Sequence, residues 1–267
     1  MTIFAGLLPT RKIERRIEMN SMTIEKLTQM KLYGMANALK AGIETGGITN
    51  TDPLEFVSYL IQSEWEDKHV RRTQRLSRAA RFRTEALLSE IDWTAQRGLD
   101  KTVIMKLAEG AFIREHRTVV LTGPTGVGKS FVAQALGSHA CDCGYTTTYF
   151  NCTKLFPLLR EKRIDGSYNP YVTRLAKTNL LILDDFGLLR FDAQDRLSLL
   201  EIVEDRYNKS ALIVSSQLPV ADWHSVIGDP TIADAVCDRI VHKAIRIEMS
   251  GLSMRAKDNL PSCTKSA

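Results

Sequence analysis

The stretch LTGPTGVGKS, Leu121 to Ser130, decides how the second half of this 267-residue chain is read. It fits the pattern G-x-x-x-x-G-K-[ST], with RTVVLTG reading as a buried strand before it and FVAQALGSHACDCG as a helix after it. That context gives the motif its meaning. The glycines let backbone N–H groups wrap phosphates at a helix N-terminus, whose partial positive charge favours anions. Gly123, Pro124, Thr125, Gly126, Val127, Gly128, Lys129, Ser130 and Phe131 are the expected nucleotide contacts. Lys129 is expected to reach the β- and γ-phosphates and Ser130 to offer its hydroxyl to Mg²⁺.

A second element completes the site. Leu180 to Leu183 is an apolar strand ending in Asp184 and Asp185. Two adjacent carboxylates after a buried strand gain nothing from packing unless a cation is near. Asp184 is therefore expected beside the magnesium, and Asp185 is placed to polarise a water for attack on the γ-phosphate. After the next strand, Gln217 in LIVSSQLP could hold that water or the phosphate. Arg239 in DAVCDRIVH and Arg255 in GLSMR are candidate cations for phosphoryl-transfer charge, and either could equally be a surface ion-pair partner.

Outward from these motifs, strands alternate with helices: YTTTYFN, CTKLFPLLREKR, NLLILDD, AQDRLSLLEIVEDRYNKS, ALIVSSQ. That order predicts an α/β fold, a parallel sheet flanked by helices on both faces. Upstream the pattern is helical. Leu27, Met30, Met35, Ala38 and Leu39 recur at helical spacing until GGITNTDP breaks the run. Asp52 and Pro53 then suit the cap and first position of another helix. Its stripe of Leu54, Val57, Leu60, Ile61 and Trp65 is expected to dock on a core.

If that helix runs unbroken past Asp67, Lys68, Arg71, Arg72, Arg75, Arg78 and Arg83 fall within an arc of roughly 140°, with Arg81 outside it. The stretch from His69 to Arg83 holds six arginines and no acid. A solvated helix normally interleaves acids at i,i+4 spacing, so the stripe points to an anionic partner, and DNA phosphates suit it.

Totals exclude several classes. Hydrophobic content of 44% and charged content of 25% are ordinary for a globular chain. No apolar run approaches the roughly 18–20 residues that cross a bilayer, and MTIFAGLLPTRKIERR reverses the order of a secretory signal. No membrane partner is expected. Five cysteines suit a reduced, cytoplasmic chain. Cys141, Cys143 and Cys152 lack a second Cys or His pair for zinc and read as small buried apolar side chains. A net charge of +5 is too modest to name a partner by itself.

The order TGPTGVGKS, LLILDDFG, IVSSQLPVADWH and IADAVCDRIVHKAIRIEMSGLSMR resembles the IstB-like ATPases, helper proteins of two-gene insertion-sequence transposons. These are AAA+ P-loop proteins related to the DnaC/DnaI helicase loaders. The likeness extends upstream through LTQMKLYGMANALKA and FVSYLIQSEWEDKHVRRTQRLSRAARFR. It implies a small all-α DNA-binding domain over 22–92 and an AAA+ ATPase domain over 103–258; residues 1–21 lie outside the likeness and read as a basic leader or tail, 93–102 as a linker and 259–267 as a C-terminal tail. It further implies ATP and Mg²⁺ as cofactors, ATP-dependent assembly into a homo-oligomer on duplex DNA, and the transposase of the same element as partner. In that frame Gln217 is the first sensor, Arg239 a trans-acting arginine finger and Arg255 the second sensor. Many relatives of this architecture carry Glu at the second Walker B position. The shorter Asp185 implies slow hydrolysis, or a water aligned only with DNA or a partner.

Two other readings share the P-loop. A replicative helicase loader would prefer single strands and carry a helicase-docking module. A small-molecule kinase would need an acceptor pocket and paired arginines near the phosphates.

Overall fold

A computed structural model describes the backbone of residues 8–46 and 52–254, with side chains from residue 19 onward within those spans. Its contacts divide the chain into two compact units, residues 1–74 and 75–267.

Three helices begin the chain: α1 (Leu8–Gln29), α2 (Tyr33–Glu44) and α3 (Pro53–Ala80). Helix α1 starts within the stretch expected as a leader, since neither glycine nor proline interrupts the chain between Pro9 and Gly34. The single helix expected through Leu39 is in fact two. Lys31 adopts φ 60°, and Leu32 N–H closes onto the Leu27 carbonyl at 2.8 Å, a helix-ending turn with no glycine to announce it.

The reason lies in α3. Gly34 approaches so closely that a Cβ there would stand 2.4 Å from the Ser63 carbonyl oxygen and 2.6 Å from the Glu64 Cα. Glu64, 5% exposed, accepts a hydrogen bond from Met35 N–H at 3.1 Å, placing a carboxylate at the N-terminus of α2. Gly34→Ala gains about 1 kcal/mol of helix propensity at most, whereas overpacking against rigid backbone costs roughly 1–3 kcal/mol or more. The clash wins. Faster amide exchange across α2 in that variant is the expected readout; unchanged protection would show that α3 yields.

Helix α3 is unbroken and Asp52 caps it, its Oδ1 accepting from Leu54 N–H at 2.9 Å. The docked apolar stripe is not found. Leu54 is 74% and Trp65 62% exposed, and Val57 and Ile61 are exposed as well. On α3 up to Asp67, Phe56, Leu60, Ser63, Glu64 and Asp67, a neighbouring arc, carry the partial or full burial. The helix also stops sooner than the arginine arc requires. Arg81 takes φ 58°, so Arg81 and Arg83 lie beyond it.

The second unit opens with the C-terminal end of α3 and a packed segment that runs on to Arg97, in the stretch expected as a linker. Ala86 and Ile91 are buried, and Arg97 N–H groups bond the carbonyls of Val127 and Asp92. There follow α4 (Lys101–Ala108), α5 (Ala111–Arg114), β1 (Thr118–Thr122), α6 (Lys129–Asp142), β2 (Thr147–Asn151), α7 (Cys152–Ile164), α8 (Tyr168–Ala176), β3 (Leu180–Phe186), α9 (Ala193–Arg206), β4 (Ala211–Ser216), α10 (Trp223–Ile227), α11 (Pro230–Val241) and β5 (Ile245–Glu248). All strand pairs are parallel, in the order β2-β3-β4-β1-β5.

Alternate residues along each strand feed opposite faces. Leu181, Leu183 and Val214 join one core with Leu155, Leu199 and Val236; Leu180, Ile182 and Ile213 join another with Val132, Leu136 and Ile104. Burial on both faces explains the continuous apolar runs. Cys141 packs with Leu76 and Ala80, and Cys152 lies in the first core, but Cys143 is exposed, contrary to expectation. Among the described residues no helix is long and apolar enough to cross a membrane.

Candidate nucleotide-binding site

The P-loop joins β1 to α6, so its geometry is set by sheet and helix together. Gly123 has φ 140°, and a Cβ there would fall 1.9 Å from the carbonyl oxygen of Met249, which follows the edge strand β5. Met249 N–H in turn donates to the Thr122 carbonyl at 2.7 Å. Only glycine allows that approach. Gly128, φ 98°, is the N-cap residue of α6 and faces the Arg97 guanidinium.

Lys129 is 6% exposed, and its Nζ donates to the Pro124 carbonyl at 2.8 Å. Burial lowers its pKa below the lysine norm, opposed by the charges of Asp185 and Asp184. Ser130 Oγ donates to Asp184 Oδ1 at 2.9 Å. Asp184, 1% exposed, also accepts from Ser215 Oγ, and from Tyr149 OH at 2.7 Å. Burial, then the bond to Asp184, pushes the Tyr149 phenol upward, so it stays a donor.

In a regular strand Asp184 and Asp185 would point to opposite faces. Instead the β3–β4 register shifts between Leu183 and Phe186, and Asp185 takes φ 53°. A left-handed non-glycine residue costs roughly 1–3 kcal/mol and persists only where its surroundings enforce it. Here Asn151 Nδ2 donates to Asp185 Oδ2 at 2.7 Å, and Gln217 Nε2 lies 3.5 Å from Oδ1. Thr125 Oγ1 donates to Gln217 Oε1 at 2.7 Å, joining the loop to the residue after β4.

These groups surround a cavity of about 580 Å³, lined among others by Lys129, Ser130, Phe131, Asp185 and Gln217, a volume suited to a nucleotide. Ser130 and Asp184 form a hard oxygen pair. Asp184 is buried on three hydroxyl donors, and no cation forms an ion pair with it among the described residues. That donor set fits Mg²⁺.

Of the two expected cations, one falls elsewhere and the other is not among the described residues. Arg239 on α11 pairs with Glu204 at 2.6 Å and donates to the Ala235 carbonyl. It lines a separate cavity of about 470 Å³ with Thr118 and Leu212, near the N-terminal ends of β1 and β4. Arg255 lies outside the described residues. The chain just before it reaches the loop, Met254 N–H donating to the Gly126 carbonyl at 2.9 Å.

Sequence reasoning passed over Tyr149, Asn151, Ser215 and Arg97. For Asn151 a signal existed: a parallel β2 places it in register with Asp184. For Arg97 there was none. Of the basic stripe, Lys68 pairs with Glu64, and Arg71 with Glu64 and Asp67 while lying over the Tyr33 ring. Arg75, Arg78, Arg81 and Arg83 belong to the second unit and form no ion pair among the described residues.

Strand order, P-loop and the carboxylates at the end of β3 define a P-loop ATP-binding protein of AAA+ architecture. Residues 25–262 match the family described as IstB-like ATP binding protein, and the chain belongs to it. It is 42% identical over 233 residues to y4pL of Sinorhizobium fredii (strain NBRC 101917 / NGR234), which is named for an insertion sequence ATP-binding protein; the match covers 87% of this chain and 95% of that one. A second relative from the same organism, y4uH, is 39% identical over 233 residues, covering 87% and 94%. The crystal structure of the DnaI shares the fold with a TM-score of 0.53 at 20% identity, over 66% of this chain and 93% of that one.

Proposed function

We propose that the protein is a DNA-dependent transposition ATPase. It assembles with ATP into a homo-oligomer on target duplex DNA, hydrolyses ATP slowly, and recruits the transposase of the same element. The observation that carries the hydrolytic part is the bulge at the end of β3. It turns Asp185 towards Asn151 and Gln217 while Asp184 keeps the Ser130 hydroxyl.

In this reading Lys129 leaves the Pro124 carbonyl for the β- and γ-phosphates. Ser130 and Asp184 would hold Mg²⁺, which neutralises phosphate charge. Asp185 accepts a proton from the attacking water, Gln217 orients that water, and the bond from the γ-phosphorus to the β–γ bridging oxygen breaks. Met254 brings the chain that bears Arg255 to the loop, consistent with a sensor role for Arg255. Arg239, held by Glu204 away from the nucleotide cavity of its own chain, is suited to act on the nucleotide of a neighbouring protomer.

The basic run supplies the DNA contact. Lys68 and Arg71 are occupied by acids, so the contact rests on Arg75, Arg78 and Arg81, with Arg72 alongside. Binding through phosphates is independent of sequence and falls with salt. Arg75→Ala with Arg78→Ala is expected to flatten the slope of log affinity against log salt by about 2, at roughly 0.9 per phosphate contact. ATP affinity is unaffected. An unchanged slope would remove the stripe from the interface.

The whole reading is tested by sedimentation on a short duplex with ATP, ADP or neither, with a single strand alongside. A large complex formed only with ATP and duplex is the expected result. Preference for single strands would favour a helicase loader, and a monomer indifferent to DNA in every state would overturn both.

A further inference from the structure

The sequence groups Arg83 with the basic stripe, but the fold takes it elsewhere. Once α3 ends, the left-handed turn at Arg81 redirects the chain. The Arg83 and Thr84 backbone N–H groups then both donate to Gln134 Oε1, at 2.7 and 3.0 Å. Gln134, 2% exposed on α6, returns its own Nε2 to the Ser130 carbonyl at 3.1 Å. One buried side chain thus fastens Arg83 to the P-loop residue whose hydroxyl meets Asp184.

Two observations concern the Arg83 side chain itself. It lines the same cavity as Lys129, Ser130, Asp185 and Gln217. No acceptor bonds its guanidinium among the described residues. The other cations of the cavity are engaged, Arg97 with the Val127 and Asp92 carbonyls and Lys129 with that of Pro124. An arginine at the mouth of a phosphate site with its donors unspent matches phosphate oxygens, which a guanidinium meets with two parallel bonds.

We propose that Arg83 is a phosphate-binding residue of the nucleotide site, supplied by the same chain, and not a DNA contact. Its backbone is clasped to α6 while Arg78 and Arg81 stand just before it, so one short segment links the DNA-facing arginines to the nucleotide. The inference rests on this cavity being the ATP site, and Lys129→Ala tests that premise separately.

The experiment titrates full-length parent, Arg83→Gln, Lys129→Ala and the Arg78→Ala/Arg81→Ala pair with a fluorescent ATP analogue. Each protein is also titrated with a short DNA duplex in the absence of nucleotide. Arg83→Gln is expected to bind ATP roughly ten-fold more weakly, the effect of losing charge-assisted hydrogen bonds. Its DNA affinity stays within about two-fold of the parent, whereas the double variant shows the reverse pattern. The clasp uses backbone N–H groups of residue 83, so the substitution leaves it intact, and an unchanged thermal midpoint checks this. Parent-like ATP affinity in Arg83→Gln overturns the proposal, as does loss of DNA affinity with ATP binding kept. Parent-like ATP affinity in Lys129→Ala would instead overturn the assignment of the cavity.

Discussion

Lys129→Met is expected to lose ATP affinity by roughly 100-fold, the scale of two charge-assisted bonds to phosphate, and to melt no lower than the parent. Both halves follow from one position. The ammonium sits at the start of α6, 6% exposed, with a carbonyl as its partner, so folding removes it from water for incomplete return. Burial accordingly lowers its pKa, with Asp185 and Asp184 only partly opposing. A lysine whose folded value lies below its unfolded one binds more protons in the unfolded chain between the two values. Its cost to stability is full below the folded value and fades as pH rises towards the ordinary 10.5. Methionine keeps the apolar length and has no such titration. Denaturant unfolding of both proteins at pH 7 and at pH 10 should therefore show the advantage of the methionine variant shrinking at the higher pH. A methionine variant less stable at pH 7 would show that the ammonium contributes more to the fold through Pro124 and the two aspartates than burial takes away.

Asp185→Asn is expected to lower ATP turnover by roughly 10²–10⁴-fold, the usual worth of a positioned general base, with ATP affinity close to the parent's. The choice of asparagine matters. Residue 185 holds φ 53°, which asparagine tolerates about as well as aspartate. Its amide oxygen can still accept from Asn151 or Gln217 while losing the basicity a water needs. Asp185→Ala would confuse the result, because alanine resists that backbone and would disturb the bulge beside Asp184. Single-turnover hydrolysis with saturating ATP separates chemistry from binding. Equal turnover in parent and Asp185→Asn would move the base to another residue. A parallel loss of affinity would mean that Asp185 acts in holding the nucleotide.

Much of the ATPase unit is legible in the order of its residues. The P-loop declares itself because its chemistry is local: glycines, lysine and serine must follow one another for backbone N–H groups and side chains to meet the same phosphates. The apolar run before Asp184 and Asp185 is legible for a similar reason, since a strand buried on both faces has no polar position to spare. The helix cap at Asp52 needs only its next residues, and the structure keeps it. The short edge strand β5 carries too weak a pattern to be seen, although its chain presses on Gly123.

What the sequence determined by itself was therefore the alternation of strands and helices from β1 to β4, the P-loop, the paired aspartates and the concentration of arginine. Only the tertiary structure decided where each charge and each apolar stripe went. Leu54 and Trp65 have the spacing of a docked face, but Gly34 and Glu64 seat α2 on a neighbouring arc of α3. Lys31, Arg81 and Asp185 take left-handed conformations that nothing local calls for, because the turns they make are held by contacts made elsewhere in the fold. Arg97 ends beneath the P-loop on the Val127 carbonyl, and Arg83 is drawn to the nucleotide cavity by Gln134, 51 residues away in sequence. Periodicity and motif chemistry act over a few residues and can be read in order along the chain. The partner of a buried polar group is chosen by packing between segments far apart, and only the folded chain brings them together.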